Sequence, residues 1–190
     1  MKVYDISQPL PNCAVYEGDI SPIISQIKSI SEDGYNLSNL TMCLHNGTHI
    51  DAPSHFNRFG ETISAMPIDL FVGDANVFQF DNKITREDII SLPKGVTRLL
   101  IKGNGILSAE AALALDYTDI KLIACESQSI GGENFFMVHR LLSGRSIAIL
   151  EGVCLKDVPV GKYFISALPL NILDGEASPT RAVLIDLTAF

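Results

Sequence analysis

Leu40-Thr41-Met42-Cys43-Leu44-His45-Asn46-Gly47-Thr48-His49-Ile50-Asp51-Ala52-Pro53-Ser54-His55-Phe56 is the stretch on which the reading of this chain turns. Three of the protein's 4 histidines lie in it, together with an aspartate. Imidazole and carboxylate are the side chains that bind borderline divalent metals and move protons near neutral pH. Gly47 and Pro53 punctuate the run, so the i, i+4 spacing of His45 and His49 does not signal a regular helix. A turning backbone can instead bring His45, His49 and Asp51 to a common point. Just upstream, Leu40, Met42 and Leu44 alternate with Thr41, Cys43 and His45, the period of a strand. His45 is therefore expected at a strand end, with Asn46-Gly47 as the turn that follows. A strand holds a ligand in place while the loop completes the site.

Outward from this stretch, β-branched and apolar runs predict strands over 2–7, 23–30, 75–80, 96–101, 120–125, 146–150, 163–168 and 182–187. A short helix is expected around 68–71. Thr85 with Asp88 forms an approximate capping box opening a helix to about Ser91, and Ser108 caps an alanine-rich helix through Leu115. A further helix over 133–143 is stopped by Gly144. The first half is mostly strand; the second alternates strands with helices, which implies crossover units and partly parallel pairing. The reading is one α/β domain over 1–190, with a mixed sheet, flanking helices and no internal repeat or linker.

With 190 residues, the chain is long enough to bury a substantial core. Hydrophobic residues make up 47% and charged residues 19%, an apolar excess that suits burial between subunits, so a homo-oligomer is expected. A net charge of -8 argues against a nucleic-acid backbone and against an anionic membrane surface as partners. Cys13, Cys43, Cys125 and Cys154 are far apart, form no C-x-x-C pair and do not read as a disulfide framework. The start, Met1-Lys2-Val3-Tyr4-Asp5, lacks a signal peptide's apolar core, and no apolar run is long enough to span a bilayer. A cytoplasmic protein is expected. The fourth histidine, His139, falls on the helix over 133–143, and Glu151 follows where the next strand ends. A helix histidine beside Phe135 and Phe136 is more often packed than ligating, and a strand-end glutamate is often simply solvated.

The run from His45 to Phe56 resembles the signature H-x-G-T-H-x-D-x-P-x-H-F of the metal-dependent cyclase/hydrolase family, which includes bacterial kynurenine formamidases and isatin hydrolases. Val138-His139-Arg140-Leu141-Leu142, followed by Ile149-Leu150-Glu151-Gly152, is similar to its second motif. Asp5-Ile6-Ser7, the Gly18-Asp19 turn and Ser178-Pro179-Thr180-Arg181 resemble its ends. The resemblance implies a swivelling β/β/α fold of the putative cyclase type, and dimers or tetramers with sites near a subunit interface. It implies two divalent metals, one held by His45, His49 and Asp51, the other by Asp51, His139 and Glu151. His55 would stay unligated as the acid/base. Nitrogen and oxygen ligands of this kind suit Zn2+, and Mn2+ tolerates them. Two metals about 3.5 to 4 Å apart can share a hydroxide and polarise a carbonyl at once. A leaving amine still needs a proton, for which an unligated histidine is the natural donor.

The implied activity is a metal-dependent amidohydrolase acting on a small molecule, with an arylformamide the named candidate. A cyclic amide or lactone is the alternative, and a non-catalytic metal-binding protein is the rival from another class. The chain departs from the family where Ala124-Cys125-Glu126-Ser127-Gln128-Ser129 stands for a common G-x-D-x-x-S. Glu17 replaces a common proline before Gly18-Asp19, and there is no tryptophan to line a substrate pocket. These departures bear on the substrate and leave the metal ligands intact. A serine-hydrolase reading fails because Gly144-Arg145-Ser146-Ile147-Ala148 lacks the closing glycine of G-x-S-x-G. Gly103-Asn104-Gly105 is too short to cradle phosphate, and no Walker-type lysine follows it.

Overall fold

Nearly uninterrupted apolar runs make the middle of the sheet, because strands covered on both faces have no side to leave polar. The computed structural model describes residues 1–187. In chain order its strands are β1 (Lys2–Asp5), β2 (Ile23–Lys28), β3 (Leu37–Thr41), β4 (His49–Asp51), β5 (Val72–Gln79), β6 (Lys83–Ile84), β7 (Arg98–Lys102), β8 (Ile106–Leu107), β9 (Leu122–Cys125), β10 (Ala148–Glu151), β11 (Gly161–Ser166), β12 (Ala177–Pro179) and β13 (Val183–Asp186). The α-helices are α1 (Ile30–Asp33), α2 (Arg86–Ile90), α3 (Ala109–Ala114) and α4 (Phe135–Ser143). No helix of the described residues is long and apolar enough to cross a membrane.

Nine strands form one mixed sheet in the order β1-β13-β11-β5-β7-β9-β10-β4-β12. The middle four, β5, β7, β9 and β10, run parallel, and the remaining neighbours pair antiparallel. Side chains alternate across it. Leu99, Ile101, Ile123 and Ile149 pack with Ala111, Val138 and Leu142 under the helices. Leu100, Leu122 and Leu150 face the other way, into a cluster that also holds Ile50, Ile165 and Leu184. Since Ile50 and Leu184 come from strands near opposite ends of the order, the sheet curls around this second cluster. The expected capping box is formed: the Thr85 hydroxyl accepts from the Asp88 amide at 3.3 Å, and the Asp88 carboxylate accepts from the Thr85 amide at 2.8 Å. Ser108 caps α3 through the Ala111 amide at 3.1 Å.

Two local readings are corrected. The alternation over 40–45 does not mark a strand reaching His45. β3 ends at Thr41, is exposed along its whole length and pairs only with β2. Gly47 and Pro53 do exclude a helix, but the turning backbone expected to carry His49 and Asp51 gives way to a strand there. His49–Asp51 is a fully buried strand between β10 and β12, where paired neighbours supply the hydrogen bonds that local propensity does not. Gly144 stops α4 as expected, in right-handed conformation (φ −65°), and the left-handed residue beyond it is Ser146 (φ 54°).

Candidate metal centre

The turn over 44–47 is fastened before any ligand is placed. The Asn46 side chain accepts from the Cys43 amide at 2.9 Å, and the Gly47 amide donates to Ala14 at 3.0 Å. Gly47 adopts φ +65°, and a Cβ there would come within 2.9 Å of Cys13 Cβ, so the turn requires glycine. Thr48, buried, donates its hydroxyl to the Gly152 carbonyl at 2.7 Å and accepts from the Gln8 amide at 2.9 Å. The H-x-G-T-H spacing is thus a turn, a staple to the end of β10, and the first residue of β4.

On β4, His49 and Asp51 are two apart and share a face, while Ile50 points into the core on the other. Glu151 stands directly opposite His49 across the antiparallel pairing, so it presents its carboxylate to the same face. α4 covers that face and contributes His139. His45 enters from the turn. The donor atoms converge. His45 Nδ1 lies 2.9 Å from Asp51 Oδ1, and His49 Nε2 lies 3.4 Å from Asp51 Oδ1 and 3.5 Å from Glu151 Oε2. His139 Nε2 lies 3.2 Å from Glu151 Oε1 and 3.5 Å from Asp51 Oδ2. Two donor groups result, His45-His49-Asp51 and Asp51-His139-Glu151, with Asp51 common to both. The residues singled out in sequence are brought together, including the distant His139 and Glu151.

These donors fit divalent cations. His49 Nε2 and both Asp51 oxygens are buried without a hydrogen-bond partner, a costly arrangement for polar atoms unless something else satisfies them. Ligands of a tetrahedral ion at about 2.0–2.1 Å stand about 3.3–3.4 Å apart; the observed N···O separations run from 2.9 to 3.5 Å. Outer hydrogen bonds orient two of the rings. His49 Nδ1 meets the Gly47 carbonyl at 3.0 Å and His139 Nδ1 meets the Phe135 carbonyl at 2.7 Å, leaving each Nε2 to face the centre. Without a cation, protons answer the same convergence. Burial opposes charging either ring, yet the Asp51 and Glu151 carboxylates outweigh it and push both His49 and His139 up to about 10. Asp51 is held well below the usual carboxylate range, because His139, His45 and His49 outweigh its burial.

His55 ends the 3-10 turn Pro53–His55, which starts two residues after Asp51. Its ring lies 4.2 Å from that of His45 and 4.4 Å from that of Phe56, and none of the hydrogen bonds among the described residues uses it. Burial pushes its pKa below the ordinary histidine value, which favours the neutral ring. The cleft, about 250 Å³, is lined by the five donors and His55 together with Tyr16, Asp19, Phe56, Gln128, Ser129 and Phe135. Of these, the Tyr16 turn and Phe56 have a sequence signal; Gln128 and Ser129 fall in the segment that departs from the family's G-x-D-x-x-S, and Phe135 stands one turn before His139 on α4. Glu176 was also missed. Its carboxylate lies 3.5 Å from His45 Nε2.

The profile of the family described as Putative cyclase matches residues 4–116. The kynurenine formamidase of Bacillus cereus is 34% identical over 200 aligned positions, covering 95% of each chain. A solved structure described as a potential metal-dependent hydrolase with cyclase activity superposes with a TM-score of 0.82 at 29% identity, over 96% of both chains. Isatin hydrolase A from Labrenzia aggregata superposes with a TM-score of 0.84 over 96% of this chain and 93% of its own; at 20% identity the likeness is one of fold.

Proposed function

The chain belongs to the putative cyclase family, and from that premise we propose that it is a metal-dependent hydrolase of non-peptide amides whose substrate is an N-formylated arylamine. The observation that carries this reading is the convergence of three imidazoles and two carboxylates, with His49 Nε2 and both Asp51 oxygens buried and unpartnered, beside His55 in one cleft. His45, His49 and Asp51 would hold one ion and Asp51, His139 and Glu151 the other, with Zn2+ the favoured metal and Mn2+ compatible with the same donors. Such ions, when bound, supply Lewis acidity toward a carbonyl and make water acidic enough to act as a nucleophile near neutral pH.

The chain's own residues do the rest. His55 takes a proton from water as its oxygen bonds to the formyl carbon, and returns it to the nitrogen as the C–N bond breaks. A free arylamine and formic acid leave, and the acid gives up its proton to solvent as formate. Tyr16, Phe56 and Phe135 offer aromatic faces to an aryl ring, a role these can fill without tryptophan. We further propose that the protein is a cytoplasmic homo-oligomer. Its four cysteines are free. The β2–β3 hairpin exposes Ile23, Ile24, Ile27, Leu37 and Leu40, and a lone two-stranded ribbon is marginally stable by itself.

The test is formate release from N-formylkynurenine, compared with ring opening of isatin and of simple lactones. Chelated protein should be inactive, and Zn2+ should restore it with the formamide as the preferred substrate. A preference for the rings would move the substrate to the cyclic class. Activity that survives complete chelation would overturn the metal assignment.

A further inference from the structure

The two donor groups are unequal in charge, and Glu176 sits where it redresses the balance. The group His45-His49-Asp51 contains one carboxylate, whereas Asp51-His139-Glu151 contains two. Affinity for a divalent cation rises with the negative charge around it, so the first group is intrinsically the weaker. Its rings are also oriented differently. His49 and His139 rest their outer Nδ1 on neutral backbone carbonyls, Gly47 and Phe135. His45 is turned the other way, with Nδ1 inward beside Asp51 and Nε2 outward, 3.5 Å from Glu176 Oε1. It is the one proposed ligand whose outer nitrogen faces a carboxylate.

Glu176 is delivered to this place by the sheet. Its carbonyl accepts from the Ala52 amide at 2.9 Å, immediately after Asp51, and the next residue, Ala177, pairs with Asp51 across β4 and β12. Its side chain is 45% exposed, while that of His45 is 15% exposed. A carboxylate facing the outer nitrogen favours the tautomer protonated there and makes the inner nitrogen a stronger donor.

We propose that Glu176 is a positioning residue that sets the affinity of the His45-His49-Asp51 position, and that the Asp51-His139-Glu151 position does not depend on it. The inference rests on the two-metal reading above. Glu176 itself ligates neither ion, since it meets His45 on the side away from the other donors.

The test is a stepwise Zn2+ titration of metal-free protein against a competing fluorescent chelator, for the parent, Glu176→Gln, Glu176→Ala and His45→Ala. The parent should give two association constants. Glu176→Ala should weaken one of them by about 10- to 100-fold and leave the other within about twofold. Glu176→Gln keeps an acceptor but loses the charge, and should fall between parent and Glu176→Ala. His45→Ala should lose the same constant. Two unchanged constants in both Glu176 variants would overturn the proposal, as would equal weakening of both. A parent that binds no Zn2+ would fail differently, by removing the metal reading and this inference with it. Melting of each metal-free variant shows that it is folded; a Glu176→Ala that does not fold leaves Glu176→Gln to decide.

Discussion

Replacing His55 with alanine should separate proton transfer from metal binding. The structure sets the size of each effect. No hydrogen bond of the described residues uses the His55 ring, and the residue is half-buried, so its removal orphans no polar group. The stability cost should be about 0.5–1 kcal/mol, a melting shift of roughly 1–4 °C for a chain of this size. All five proposed ligands survive, so the metal content should stay near that of the parent. Loss of a positioned proton-transfer group slows turnover by about 10²- to 10⁴-fold, or roughly 2.7–5.4 kcal/mol of barrier. The assay is the initial rate of formate release, with elemental analysis and a melting curve taken on the same sample. His49→Ala is the comparison, and should lose metal and activity together. If His55→Ala sheds metal as His49→Ala does, His55 is a ligand. If it keeps full metal and full rate, proton transfer runs through another group, and the mechanism is wrong.

Chelation should destabilise the protein, since ligands from the turn, β4, α4 and β10 are tied together at one point. Free metal at about a thousand times Kd contributes about 4.1 kcal/mol per ion, or roughly 8–16 °C of melting temperature, and an unchanged melt would argue against bound metal. pH should act in opposite senses on the two forms. His49 and His139 stand at about 10 in the metal-free fold, above the unfolded value of about 6.5. The metal-free fold therefore holds extra protons between those values and loses stability as pH rises through that window. Metal must displace the same protons, so calorimetry at pH 8 in buffers of different ionisation enthalpy should register about two protons released on full loading; none released would refute the assignment of these rings. In the hairpin, Ile24→Asp with Leu40→Asp places two charges at directly paired exposed positions. Sedimentation should show a smaller assembly than the parent, and an unchanged mass would locate the interface elsewhere.

Much of the site was legible because its chemistry is concentrated in one turn. Three histidines and Asp51 within a few residues signalled a metal centre before any contact was known, and the family resemblance then drew in His139 and Glu151. The structure explains why those two carry so little signal alone. Glu151 reaches the site by pairing register with His49, and His139 by the packing of α4, neither of which is a property of local sequence. The apolar runs of β7, β9 and β10 were readable because strands buried on both faces need no polar side. β4 was not, since three residues between Gly47 and Pro53 have no strand pattern of their own and are held by β10 and β12. β3 failed in the opposite way: the alternation over 40–45 runs past the strand, which ends at Thr41 in an exposed hairpin, so periodicity there says nothing about a core. Glu176 could not be found in sequence at all, because only the β12–β4 pairing sets it beside His45.

Asp51, the carboxylate common to both donor groups, is the residue on which the whole centre depends. The direct measurement is zinc per chain by elemental analysis, after loading with excess metal and exhaustive dialysis, for the parent, His45→Ala and Asp51→Asn. The parent should retain two ions and His45→Ala one. Asp51→Asn, which preserves shape but removes the shared charge, should retain close to none. A parent that holds no zinc after ample loading, or an Asp51→Asn that still holds two, would contradict the centre described here.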